Sequence, residues 1–130
     1  MSDEEFERLV SESIDTIPER FLAKLDNVAI VIAQKPTKTQ LHSNGIPEHS
    51  TLLGLYEGVP LPARGEFYGG MVIPDKITIF RGPILENTHG DPQAIRELVR
   101  STVWHEIAHY FGYADEQIEE REEKGTNFSQ

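Results

Sequence analysis

Cysteine is absent from all 130 residues. Its absence excludes disulfides, thiolate nucleophiles, iron–sulfur clusters and Cys-based zinc sites, so any bound metal is held by His, Asp or Glu. Long apolar runs are missing as well. The longest, Val28–Ala33, falls far short of the ~20 residues that span a bilayer. Positive charge is scarce: 12 Lys and Arg stand against 22 Asp and Glu, for a net charge of −10. No basic patch is available to neutralise phosphates, which argues against sequence-independent nucleic-acid binding. The N-terminal stretch MSDEEFERLVSESID is acidic where a signal peptide is basic and then apolar, so a cytoplasmic location is expected. The acidic excess lies at the two ends, −5 over residues 1–20 and −4 over 115–124, against −1 between them. Both ends read as solvated helix faces.

What is present fits an ordinary globular chain, 38% apolar and 26% charged. The length suits one domain over 1–130, with 1–5 and 125–130 expected to fray. Phe6, Leu9, Val10, Ile14 and Ile17 recur at helical spacing, predicting a helix over 3–16 with Asp3 as N-cap; Pro18 ends it, and 19–25 continue as a further turn or two. The β-branched run from Val28 predicts a strand buried on both faces. Residues 34–50, broken by Pro36, Gly45 and Pro47, read as loop. A second strand is expected over 52–57, a loop over 58–70, and a third strand over 76–81, stopped by Gly82-Pro83. Asp91-Pro92 then opens the strongest helix, an N-cap followed by the residue favoured at the first helical position. Its apolar face is Ile95, Leu98, Val99, Val103, Ile107, Tyr110 and Phe111, and Gly112 suits its C-terminal turn. A last, acidic helix is expected over 114–124. Helices and strands in this mixture make an α+β fold.

The chemistry lies in His105-Glu106-Ile107-Ala108-His109, inside the strongest helix. Residues four apart sit one turn above each other, so both imidazoles project toward one point, a geometry that suits two nitrogen ligands at ~2.0–2.1 Å on one zinc ion. Glu106 flanks the same region, where a carboxylate can take a proton from water activated by the metal. Gly112 permits the chain to turn back, bringing Asp115 round as an oxygen ligand. Two His, one carboxylate and one open position is the ligand count of a catalytic zinc rather than a structural one. A chance H-E-x-x-H in a chain of this length is on the order of a few in a thousand.

The stretch HEIAHYFGYAD resembles the zincin metallopeptidase motif HExxHxxGxxH/D in its aspartate variant. Together with residues 52–61, Tyr68-Gly69-Gly70 and residues 74–83, it is similar to the small bacterial minimal zincin family, over roughly residues 15–124. The resemblance implies a minimal zincin-like fold, a small sheet of three to four strands packed with an active-site helix and flanking helices. It also implies one zinc ion held by His105, His109 and Asp115, with Glu106 as general base and a peptide or protein as substrate. One departure is plain: both methionines, Met1 and Met71, precede the motif, so no methionine turn follows the helix.

Other residues are assigned with the motif in view. Tyr113, Tyr110, His89 and Tyr68 are candidates to hold an oxyanion, with Tyr110 expected in the core and His89 at the surface, as are His42 and His49. Arg64 and Arg81 are expected to pair with acids. Thr102 lies one turn before Glu106, and Trp104 is expected on the far side of the helix. An exposed strand edge, over 52–57 or 76–81, would align a peptide by main-chain pairing. Two other functions compete with a zinc-dependent peptidase or amidohydrolase. One is a catalytically silent metal-binding or interaction module that keeps the fold. The other, a zinc hydrolase such as a small ribonuclease, is disfavoured by the acidic charge.

Overall fold

The computed structural model describes residues 1–47, 50–65, 74–114 and 116–118. Helix α1 spans Asp3–Asp15, and its N-cap is Ser2 rather than Asp3: the Ser2 hydroxyl accepts the Glu5 N–H at 3.1 Å. Asp3 stands inside the first turn with Glu4 and Glu5, where acidic side chains complement the helix dipole. After Pro18 a single turn follows, α2, Glu19–Leu22. Strands β1 (Val28–Ala33), β2 (Gly54–Glu57) and β3 (Asp75–Phe80) form a sheet in the order β1-β3-β2. β3 pairs parallel with β1, Ile30 opposite Ile77, and antiparallel with β2, Tyr56 opposite Ile77.

The order corrects one expectation. Among the described residues β1 is an edge strand, and it is not buried on both faces: its burial alternates, and Val31 is 39% exposed. A β-branched run is equally at home in a central parallel strand and in an edge strand with one face packed.

Two helices stand where loop or strand end was expected. The first is α3, Lys38–Ser43, started by a complete capping box in which Thr37 and Gln40 satisfy each other's backbone N–H groups. A T-x-x-Q capping signal stands in the sequence at Thr37–Gln40, inside the stretch that Pro36, Gly45 and Pro47 mark as loop. The second is α4, Arg81–Thr88, which leaves β3 with no intervening loop. The strand ends just before Gly82-Pro83, as expected, but the chain goes straight on as helix. A proline in the first helical turn removes an N–H that has no partner within the helix, and the Gly82 N–H is taken by the Gln34 carbonyl at 2.8 Å.

Helix α5, Pro92–Tyr110, begins as the sequence predicts, with the Asp91 carboxylate accepting the Ala94 N–H at 2.9 Å. It packs on β2 and β3 with one face, and α1 packs against it in turn. The main core joins Phe6, Leu9, Val10 and Ile17 to Ile77, Ile79, Ile84, Ile95, Val99, Val103 and Ile107. Trp104 and Ala108 point elsewhere, into a second small cluster with Ile118 and Tyr113. This agrees with the far-side placement expected for Trp104. Of the predicted last helix, residues 116–118 are helical and 119–124 lie outside the described residues. Among the described residues, no helix is long and apolar enough to cross a membrane.

Candidate active site

The site is built on the last two turns of α5. His105 and His109 sit one turn apart with ring centroids 4.9 Å from each other and ring planes at 75°. Both face a cleft of about 640 Å³ that Glu106 also lines. A smaller hollow of about 330 Å³, lined by Thr51, Ser101 and Thr102, shares His105, Glu106 and Gly54 with it. The pair His105 and Glu106 therefore looks onto space on both sides.

The end of α5 orients one of the imidazoles. Gly112 takes φ +91°, its N–H bonds the His109 carbonyl at 2.9 Å, and the Tyr113 N–H bonds the Ala108 carbonyl at 3.1 Å. These are the two bonds of a Schellman turn. The turn brings the Tyr113 carbonyl to 3.0 Å from His109 Nδ1. With Nδ1–H donating to that carbonyl, Nε2 is left as the electron-pair donor, the arrangement in which metal-binding histidines are usually held. Tyr113 was a candidate for its hydroxyl; its carbonyl is the group engaged here. Gly112 also packs on Pro62, whose Cγ would lie 2.9 Å from an added Cβ. Gly112→Ala is therefore expected to cost about 1–2 kcal/mol, from the left-handed backbone alone, and to weaken zinc binding by turning Tyr113 away from His109. Thermal unfolding and a zinc titration check the two effects separately.

Glu106 is 6% exposed. Strand β2 lies close against it: a Cβ on Gly54 would stand 2.8 Å from Thr102 Cγ2 and 3.1 Å from Glu106 Cγ. Glycine at 54 is what lets the strand reach the helix at this point. Among the described residues β2 is bonded within the sheet only to β3, and Leu52, Gly54, Leu55 and Tyr56 line the cleft, so the other edge of β2 runs along it. Of the two edges considered from sequence, the one over 52–57 is at the site; the 76–81 segment is the central strand.

Behind the cleft lies a polar network that sequence reasoning did not find. The Asp75 carboxylate accepts Tyr56 Oη–H at 2.5 Å, Arg64 Nη2–H at 2.8 Å and the Val59 N–H at 3.2 Å. Arg64 and Asp75 side chains are 6% and 1% exposed. The same guanidinium donates to the Val59 and Asp26 carbonyls and lies over the Tyr110 ring at 4.9 Å. Burial alone would raise the pKa of Asp75, but the hydrogen bonds from Tyr56, Val59 and Arg64 outweigh it and hold the carboxyl below its ordinary 3.8. Burial, then the hydrogen bond to Asp75, pushes the Tyr56 phenol well above its ordinary 10.0. Tyr56 and Pro60 line the cleft, so the network fixes one of its walls. The only sequence signal was that Arg64 would pair with an acid, which it does; its partner is non-local.

The remaining expectations divide. Tyr110 is core, its hydroxyl donating to the Lys24 carbonyl at 2.6 Å and accepting the Asp26 N–H at 3.1 Å. His89 is exposed at the C-cap of α4, and His42 is exposed on α3. Arg81 pairs with Asp3 at 3.3 Å. Tyr68, His49 and Asp115 lie outside the described residues. Among the described residues, therefore, no three His, Asp or Glu side chains are grouped to hold a metal. The two imidazoles fit two ligand positions of a zinc ion: they are four residues apart, face one cleft, and one is oriented through its other ring nitrogen.

A family model described as zincin-like metallopeptidase matches residues 25–125. No curated protein matches the chain. Among solved structures, a conserved hypothetical protein from Thermus thermophilus superposes with a TM-score of 0.56 at 25% identity, over 84% of this chain and 92% of its own.

Proposed function

The chain belongs to the zincin-like metallopeptidase family, and from that premise we propose a zinc-dependent hydrolase that cleaves a peptide or amide bond. His105, His109 and Asp115 are the proposed metal ligands and Glu106 the proposed general base. The observation that carries this reading is the cleft, in which both imidazoles, Glu106 and the outer edge of β2 face one space.

When bound, zinc supplies Lewis acidity at the open face of the imidazoles and polarises an oxygen that reaches it. The chain's own residues do the rest. The β2 edge offers main-chain groups to an extended peptide and sets its carbonyl beside the histidines. Glu106, held against β2 by the close approach at Gly54, takes a proton from the attacking water and passes it to the leaving nitrogen. The Tyr113 carbonyl keeps His109 in the tautomer that presents Nε2. The Asp75–Arg64–Tyr56 network keeps the far wall in place.

The test is a screen of blocked peptides and amides with protein stripped by a chelator and then reloaded with zinc. Turnover that disappears on stripping and returns with zinc supports the proposal. Turnover indifferent to the chelator contradicts it.

A further inference from the structure

Helix α3 has no evident reason to be folded so firmly. It is short, mostly exposed, and lies between two prolines. Yet it has a complete capping box at its start and a Schellman turn at its end. There the Gly45 N–H bonds the His42 carbonyl at 3.1 Å, and the Ile46 N–H bonds the Leu41 carbonyl at 2.9 Å. Leu41 anchors it by burial, and Gln40 donates to the Glu57 carboxylate at the end of β2. Both ends are thus fixed, and what they fix are Asn44 and Ile46, which line the same cleft as the histidines.

Leu55 completes the α3 side. Along β2, Gly54 points at Glu106 and Tyr56 packs edge-on against Tyr110, so both face α5. Leu55, 7% exposed, faces the other way. A peptide strand laid along the same edge has the same period of two. Its side chains alternate between the α5 wall, with the histidines and Glu106, and the α3 wall, with Ile46 and Leu55. Among the described residues, Glu106 is the one carboxylate lining the cleft, and no Lys or Arg lines it. Asn44 is the one polar side chain on the α3 side among the described residues, so a charged side chain there meets no counter-ion, and the net charge of −10 further disfavours an acidic one.

We propose that Ile46 and Leu55 form a specificity subsite for an apolar side chain of an extended peptide, with Ile46 as the residue that sets the preference. The inference rests on the peptidase reading above and adds the substrate class to it. The subsite selects a position at a fixed offset from the bond that is cut, on the face turned away from α5.

The test uses zinc-loaded protein and a pooled library of N-acetylated, C-amidated peptides, with cleavage positions read by mass spectrometry. One position at a fixed offset is expected to favour Leu, Ile, Val or Phe over Asp, Glu and Lys by about tenfold or more. Ile46→Ala, a mild truncation of a half-buried turn residue, is expected to reduce the preference, and Ile46→Lys to shift that position toward Asp and Glu. Cleavage with no apolar preference, or Ile46 variants with the wild-type profile, overturns the subsite. If no peptide is cleaved, zinc-loaded Glu106→Gln protein is titrated with fluorescent blocked peptides that differ only by Leu or Asp at one position. Binding at least about tenfold tighter for Leu, abolished by Ile46→Lys, upholds the subsite while the peptidase reading falls. Equal binding, or none, overturns the subsite itself.

Discussion

Glu106→Gln is expected to lower kcat by about 10²–10⁴-fold, the range that a positioned general base contributes, while zinc content stays that of the wild type. Gln keeps the size and polarity of Glu but cannot accept the proton. The side chain is 6% exposed and sits under Gly54, whose missing Cβ leaves room for it, so an isosteric change disturbs the packing little. KM is expected to move less than kcat, because the proton transfer belongs to the transition state. A catalytically silent module behaves differently: its partner or metal binding would survive the substitution unchanged, with no turnover to lose. Turnover retained within a few-fold would remove Glu106 from the mechanism.

The second large effect concerns stability. Asp75→Asn is expected to destabilise the fold by about 3–5 kcal/mol, the cost of breaking a buried ion pair by removing one partner. In a chain of this size that lowers Tm by roughly 10–18 °C. The Arg64 guanidinium would stay buried over Tyr110, still bonded to two carbonyls but with only the exposed Asp26 carboxylate, 3.8 Å away, to neutralise it. The pH dependence gives a second, independent readout. Asp75 has a folded-state pKa below its ordinary 3.8, so its contribution is fully present above that value and is lost as pH falls through the lower, folded value. The stability gap between wild type and Asp75→Asn is therefore widest near neutral pH and narrows on acidification below 3.8. A wild-type melting curve for the variant at neutral pH would show that the pair contributes nothing net. Because Tyr56 and Pro60 wall the cleft, the same variant is expected to lose activity below its own Tm.

Helix α5 was legible in the sequence because everything that defines it is local. Asp91-Pro92 starts it, Gly112 ends it, and the spacing of His105 and His109 needs only one helical turn to acquire meaning. The orienting role of Tyr113 was legible in part: a residue just past Gly112 had to lie near His109, but whether it would offer hydroxyl or carbonyl depends on the turn that forms. The Asp75–Arg64 pair was not legible, since neither residue carries a pattern and their meeting depends on how the segment after β2 folds over β3. α3 and α4 were missed for opposite reasons. Flanking prolines and a glycine hid a good capping box at Thr37, and Gly82-Pro83 looks like a stop although proline in a first turn is compatible with a helix. The edge position of β1 could not be read at all, because its apolar run suits a central strand equally well.

The central claim is a zinc site on α5, and elemental mass spectrometry of protein purified without chelator or metal-affinity resin tests it most directly. The account predicts about one zinc per chain in the wild type and in Glu106→Gln, close to none in His105→Ala or His109→Ala, and a clear loss in Asp115→Ala. Wild-type protein that carries no zinc and takes up none from micromolar zinc at neutral pH would contradict it, as would a variant lacking both histidines that still holds the metal.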